Sequence, residues 1–96
     1  MAYPTADSAS ASISAEDTYT DSVVMDHEGL DVSVSGTFVA VVTVQRSFDN
    51  GSTWLDIEDL ATACERHGNG CIGAWYRAGV KTGDYTSGTV AVRIGR

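Results

Sequence analysis

Apolar and polar residues alternate along several short stretches of this chain, and small polar residues and glycines separate the stretches. In residues 30–35, Leu30, Val32 and Val34 fall on one face and Asp31, Ser33 and Ser35 on the other. A period of two is the signature of a half-buried strand. Residues 37–48 form the strongest run. Phe38, Ala40, Val42 and Val44 line one face, while Val39 and Val41 open the other, which turns polar at Thr43 and Gln45. Residues 72–82 set Ile72, Ala74, Tyr76, Ala78 and Val80 against Trp75, Arg77 and Lys81, and residues 89–94 put Val90, Val92 and Ile94 together. Weaker strand signals lie at 12–16, 19–26 and 54–58. Gly36, the Gly83 and Asp84 pair, and the Ser87 and Gly88 pair read as turns. Residues 59–70, DLATACERHGNG, read as a helical turn or a wide loop. No stretch has the periodicity of an amphipathic helix. The pattern predicts an all-β chain: a single antiparallel β-sandwich, immunoglobulin-like or jelly-roll in topology.

The first twelve residues are small and polar, with one proline. They read as a flexible N-terminal arm over 1–12, ahead of a sandwich domain over 13–96. Such an arm is expected to be dispensable for folding. If it docks on a partner, Tyr3, Pro4 and Ile13 are its apolar anchors.

Size and charge narrow the function. A chain of 96 residues makes one domain and buries only about 60–65% of its unfolded surface, so a neighbouring subunit is a natural brace. No run reaches the length of a membrane span, and the opening MAYPTADSASAS lacks the basic and apolar segments of a secretory signal. Synthesis in a cytoplasm is expected, with no membrane partner. There are 13 acidic residues against 6 Lys and Arg, net −7. That balance disfavours phosphate backbones, so no nucleic-acid partner is expected. The charge is also uneven. Asp7, Glu16, Asp17, Asp21, Asp26, Glu28 and Asp31 precede any Lys or Arg, whereas Arg77, Lys81, Arg93 and Arg96 face Asp84 alone after residue 72. This is either a solvated acidic edge or a segment that docks on a basic neighbour.

QRSFDNGSTW, residues 45–54, fits the Asp-box pattern seen in sialidase propellers: Ser47, Asp49, Gly51, Thr53 and Trp54 at the required spacing. Each residue has a structural task. Asp49 can accept from backbone N–H groups ahead of it, Asn50 tolerates the left-handed region, and Gly51 takes positive φ at little cost. Thr53 and Trp54 begin the returning strand. A propeller needs at least four four-stranded blades, which this length cannot supply. The stretch therefore predicts a structural hairpin turn and no activity.

Other chemistry is sparse. Cys64 and Cys71 enclose the glycine-rich ERHGNG, and an intrachain disulfide there is the favoured reading, with free thiols or interchain bridges as alternatives. Cys64, His67 and Cys71 make three metal ligands where a structural zinc site uses four, and His27 is distant in sequence, so no metal or cofactor is expected. Neither histidine sits beside a nucleophile in a catalytic pattern. The carboxylate pairs Glu58 with Asp59 and Glu16 with Asp17 imitate glycosidase acids, but neighbours on a strand point to opposite faces. The chain reads as no enzyme. Trp54, Trp75, Tyr76 and Tyr85 supply the material for a sugar-stacking platform.

SGTFVAVVTVQRSFDNGSTWLDIE, residues 35–58, and WYRAGVKTGDYTSGTVAVRI, residues 75–94, together resemble small all-β accessory proteins of tailed bacteriophage virions. The shared features are a strand-turn-strand unit and a glycine-rich penultimate hairpin. The resemblance implies a non-enzymatic part of the virion, foremost a capsid decoration (cement) protein stabilising the assembled head. Its partners would be other virion proteins, the major capsid protein first, with many copies per particle or a homo-oligomer. A neck or tail accessory protein and a carbohydrate-binding surface module are the alternatives.

Overall fold

The structure, a computed structural model, describes residues 5–96. Nine strands follow one another: β1 (Ser8–Ile13), β2 (Thr18–Tyr19), β3 (Val23–Val24), β4 (Gly29–Ala40), β5 (Val42–Ser47), β6 (Leu55–Leu60), β7 (Cys64–Asn69), β8 (Trp75–Val80) and β9 (Tyr85–Gly95). They form two antiparallel sheets packed face to face. The first has the order β1-β9-β4-β7; the second has β2-β8-β5-β6, with β3 also on β8. β2 and β3 are one edge strand interrupted over residues 20–22. Thr20 keeps the ladder satisfied there: its N–H donates to the Ala78 carbonyl at 2.8 Å, and its Oγ1 accepts from the Ala78 N–H at 3.2 Å.

Strand order settles the topology. An immunoglobulin-like sandwich keeps its first two strands side by side in one sheet. Here β1 and β2 lie in opposite sheets, and the chain changes sheets at nearly every connection except the β5-β6 hairpin. This is the jelly roll, two interlocked Greek keys.

The inward row of each strand makes the core. Ile13, Val32, Val34, Val90, Val92 and Ile94 of the first sheet meet Val23, Val42, Val44, Tyr76, Ala78 and Val80 of the second, and all are buried. Strand register explains why: Val34 pairs with Val92, and Val44 with Ala78, so alternating apolar rows align across each sheet.

Several sequence expectations change. Residues 37–48 are not one strand: Val41 separates β4 from β5 and carries the chain from one sheet to the other. Gly36 and Gly88 are not turns. Both have positive φ, 110° and 88°, inside the long β4 and β9 ladder. A Cβ on Gly36 would lie 2.5 Å from the Thr89 carbonyl oxygen, and one on Gly88 would lie 2.3 Å from that of Thr37. The two glycines thus let paired strands bend together at close approach. Residues 64–69 are strand rather than helix or loop.

The N-terminal arm is also revised. Tyr3 and Pro4 lie outside the described residues. Ser8–Ile13 is a full edge strand, in register with β9 from Gly95 to Val90. Ile13 is 0% exposed, so it anchors the core and no partner. The acidic N-terminal and basic C-terminal segments meet inside one chain: Arg96 Nη2 lies 2.9 Å from Asp7 Oδ1, and its Nη1 donates to the Val24 carbonyl at 2.7 Å.

Candidate interaction surface

The β5-β6 connection is built from its own side chains. Ser47 Oγ donates to Asp49 Oδ1 at 2.7 Å and accepts from the Gly51 N–H at 2.8 Å. Asp49 Oδ1 also accepts from the Thr53 N–H at 2.7 Å. Asn50 and Gly51 take φ of 58° and 88°. The Ser47 hydroxyl, followed by the Thr53 amide, holds the Asp49 carboxyl below its ordinary value. Trp54 turns back over the second sheet, where its ring meets Arg77.

Arg77 stands at the centre of a ladder across the outward face of that sheet. Its guanidinium lies 3.9 Å from the Tyr19 ring centre and 4.3 Å from that of Trp54, a cation between two π faces. Arg77 Nε donates to Gln45 Oε1 at 2.8 Å, Gln45 Nε2 donates to Asp56 Oδ1 at 2.9 Å, and Lys81 Nζ donates to Asp56 Oδ2 at 2.7 Å. Thr43 Oγ1 donates to Asp59 Oδ1 at 2.8 Å. Burial draws Arg77 below its usual value, offset by Tyr19 and Asp17. Lys81, then Gln45, hold Asp56 low, and Asp56 in turn raises Lys81. Every functional end of Gln45 and Asp56 is used within the protein. The ladder is a satisfied cover over the sheet rather than a set of open donors.

The expected sites disperse in this frame. Trp75 and Tyr76 are buried; Trp54 gives one face to Arg77; Tyr85 Oη donates to the Gly88 carbonyl at 2.8 Å. No shared aromatic platform results. Glu58 and Asp59 part to opposite faces, Glu58 reaching Arg66 at 3.2 Å and Asp59 reaching Thr43. The expected intrachain disulfide is corrected. Both cysteines are free, and β7 runs extended between them. At about 3.3 Å per strand residue the two lie roughly 20 Å apart, far beyond the about 7 Å that a bridge spans. Cys64 packs against the core, while Cys71 is exposed. His27 and His67, remote in sequence, flank Gly29: a Cβ there would lie 3.5 Å and 3.7 Å from their rings. His67 Nδ1 also contacts Asp31 Oδ1. Among the described residues no group of three His, Cys, Asp or Glu side chains is placed to hold a metal ion.

Arg46 is the residue of this surface that the sequence pattern passed over. It continues the inward row of Val42 and Val44, pairing with Tyr76 on one side and Leu55 on the other. A charged residue closing an apolar row was the available signal. Its guanidinium lies 4.6 Å from the Phe48 ring centre, and Nη1 lies 3.7 Å from Cys71 Sγ. Beside it Phe48, Leu55 and Ile57 are 63%, 46% and 44% exposed, and Ile72, one residue beyond Cys71, is 67% exposed. Leu55 faces it across the hairpin, and Ile57 shares its cleft. Aromatic and aliphatic side chains left in water beside an arginine match the centre of a protein interface. No protein-family model, curated protein or solved structure matches the chain.

Proposed function

We propose that this protein is a non-enzymatic structural component of a bacteriophage virion, a capsid decoration protein that braces the assembled head. The observation that carries the reading is the exposed apolar patch of Phe48, Leu55 and Ile57 beside Arg46. A small domain gains by covering such a patch, and a domain that covers it on neighbouring shell subunits stabilises only their assembled state. The jelly roll suits the task, since the fold recurs in capsid parts. The saturated ladder across the second sheet supports a structural role too.

The test uses particles that lack the protein. Wild type, Phe48→Asp and Ile57→Asp are added, and bound copies are counted and located by electron microscopy. Many wild-type copies over the head, with both variants bound at least tenfold more weakly, is the expected result. A few copies at one vertex would make it a neck or tail part. Equal attachment of all three forms would remove the patch from the mechanism.

A further inference from the structure

The sandwich is open along one side. β6 and β7 are the outer strands of the two sheets there, and a cleft of about 260 Å³ runs between them toward the core. Leu30, Val32, Val44 and Tyr76 form its buried floor. Glu58 and Arg66 pair across its mouth at 3.2 Å. That pair has a sufficient structural reason: inward charges on edge strands deter a further strand from adding.

Arg46 has no such reason. It lines the same cleft, yet no carboxylate lies within ion-pair distance of it among the described residues. Its contacts are the Phe48 ring and the Cys71 thiol, a weak acceptor. Its Nε is buried with no hydrogen-bond partner. Arg46 is half-buried, a buried N–H left without an acceptor is costly, and this chain has acids to spare, 13 against 6 bases.

We infer that the cleft receives an acidic side chain of a docked polypeptide, carried beside an apolar residue: the carboxylate pairs with Arg46, and the apolar group covers the floor. The inference deepens the docking role and rests on it. Three features select this occupant. The planar guanidinium suits a carboxylate. A single negative charge is tolerated beside Glu58, whose own charge is already held by Arg66, whereas a doubly charged phosphate meets stronger repulsion. The volume is below the roughly 300–1,000 Å³ of a drug-sized ligand site, so it fits side chains better than a free cofactor.

The isolated, ¹⁵N-labelled protein tests this without particles. The probes are acetyl-Phe-Glu-amide, acetyl-Phe-Gln-amide and phenylacetate, followed through the Arg46 Nε–Hε resonance and the amides of Val32 and Val44. The Glu peptide is expected to shift all three signals saturably and to bind about tenfold more tightly than the Gln peptide, a step of about 1.4 kcal/mol. Arg46→Gln should erase that preference and keep the circular dichroism spectrum, while Arg93→Gln, on the outward face of the first sheet and outside the cleft, should preserve it. Equal binding of the two peptides, no shift with either, or a preference that survives Arg46→Gln would each overturn the inference. Tighter binding of phenylacetate than of the Glu peptide would overturn the polypeptide source in favour of a free acid. If the peptide preference holds while wild type fails to attach to particles, the decoration role falls and the cleft remains.

Discussion

On the outward face of the first sheet, Ser10, Ser12, Ser35 and Ala91 stand side by side, lining a shallow groove with Arg93. On the outward face of the second, Thr43, Gln45 and Ser47 are 0%, 6% and 0% exposed. The backbone geometry is shared; the difference lies in what covers it. Short side chains leave the first face open to water, so its hydroxyls need no protein partner. Tyr19, Trp54, Arg77 and Lys81 roof the second, so each polar group beneath must find a bond inside the protein. An unmade bond under that roof costs about 1–3 kcal/mol, whereas the open face has water to substitute. The same outward position is therefore tolerant on one sheet and demanding on the other.

The largest effect is expected where the open face meets its limit. Deleting residues 2–12 removes Ser8–Ser12, five of the six residues of β1, and with them Ala9 and Ala11, which pack on the core. The β9 edge and the inward Val92 and Ile94 would be uncovered. Loss of cooperative folding is expected, read as the absence of a thermal transition by circular dichroism. A truncated protein that melts like wild type would show that the first sheet stands without its edge strand.

Next comes Gly79→Val against Ser35→Val, both outward-facing. A Cβ on Gly79 would lie 2.2 Å from the Thr18 carbonyl oxygen and 2.5 Å from the Tyr19 Cα, so backbone must move. The expected cost is about 3 kcal/mol or more. Ser35 is exposed, and its replacement should stay within about 0.5 kcal/mol. Urea midpoints measure both. Similar midpoints for the two variants would contradict the close packing of β2 on β8.

Gln45→Leu should cost about 2 kcal/mol, because Arg77 Nε loses its acceptor and Asp56 a donor under the roof. Ser33→Ala on the open face removes only the exposed bond to Glu65 and should cost under about 0.5 kcal/mol. A double variant of Gln45 and Arg77 whose effects simply add would show that the ladder is not one network.

Local features were legible in the sequence, and those made by distant residues were not. The alternation at Leu30, Val32 and Val34, and at Val90, Val92 and Ile94, marked the core rows because the pleat itself has a period of two. The turn from Ser47 to Thr53 was readable because its donors and acceptors lie within a few residues. Val41 gave no sign of a sheet change, since the apolar Ala40 and Val42 flank it. Gly36 and Gly88 imitated turns because each explains the other only once β4 and β9 are paired. The charged CERHGN segment is strand through its pairing with β4, a tertiary effect that propensity does not carry. Arg77 gathers Tyr19 of β2 and Trp54 of the β5-β6 connection, far apart in the chain, and no local pattern announces that. Arg46 was the one site residue with a usable signal.

The smallest effect concerns pH, and it is confined to the second sheet and its β5-β6 turn. Asp49 and Asp56 both sit below the ordinary value of 3.8, the first through Ser47 and Thr53, the second through Lys81 and Gln45. A carboxylate with a lowered native value contributes stability that is complete above its unfolded value. That contribution disappears as pH falls through the native value. Lys81 has the opposite sign: Asp56 raises it above 10.5, so its share is present below 10.5 and is lost as pH rises through the higher native value. Both carboxylates are exposed, so solvent keeps the effect modest. Urea midpoints of wild type, Asp49→Asn and Asp56→Asn should differ at pH 6 and converge as pH drops below about 3.8. On the alkaline side, Asp56→Asn should flatten the loss that wild type shows above pH 10.5. Asp49→Asn, whose turn contains no lysine, should leave that alkaline limb unchanged. Curves that stay parallel to pH 2 would mean that neither carboxylate is held by its neighbours, and that the roof over the second sheet rests on its uncharged bonds and on the stacked Arg77 alone.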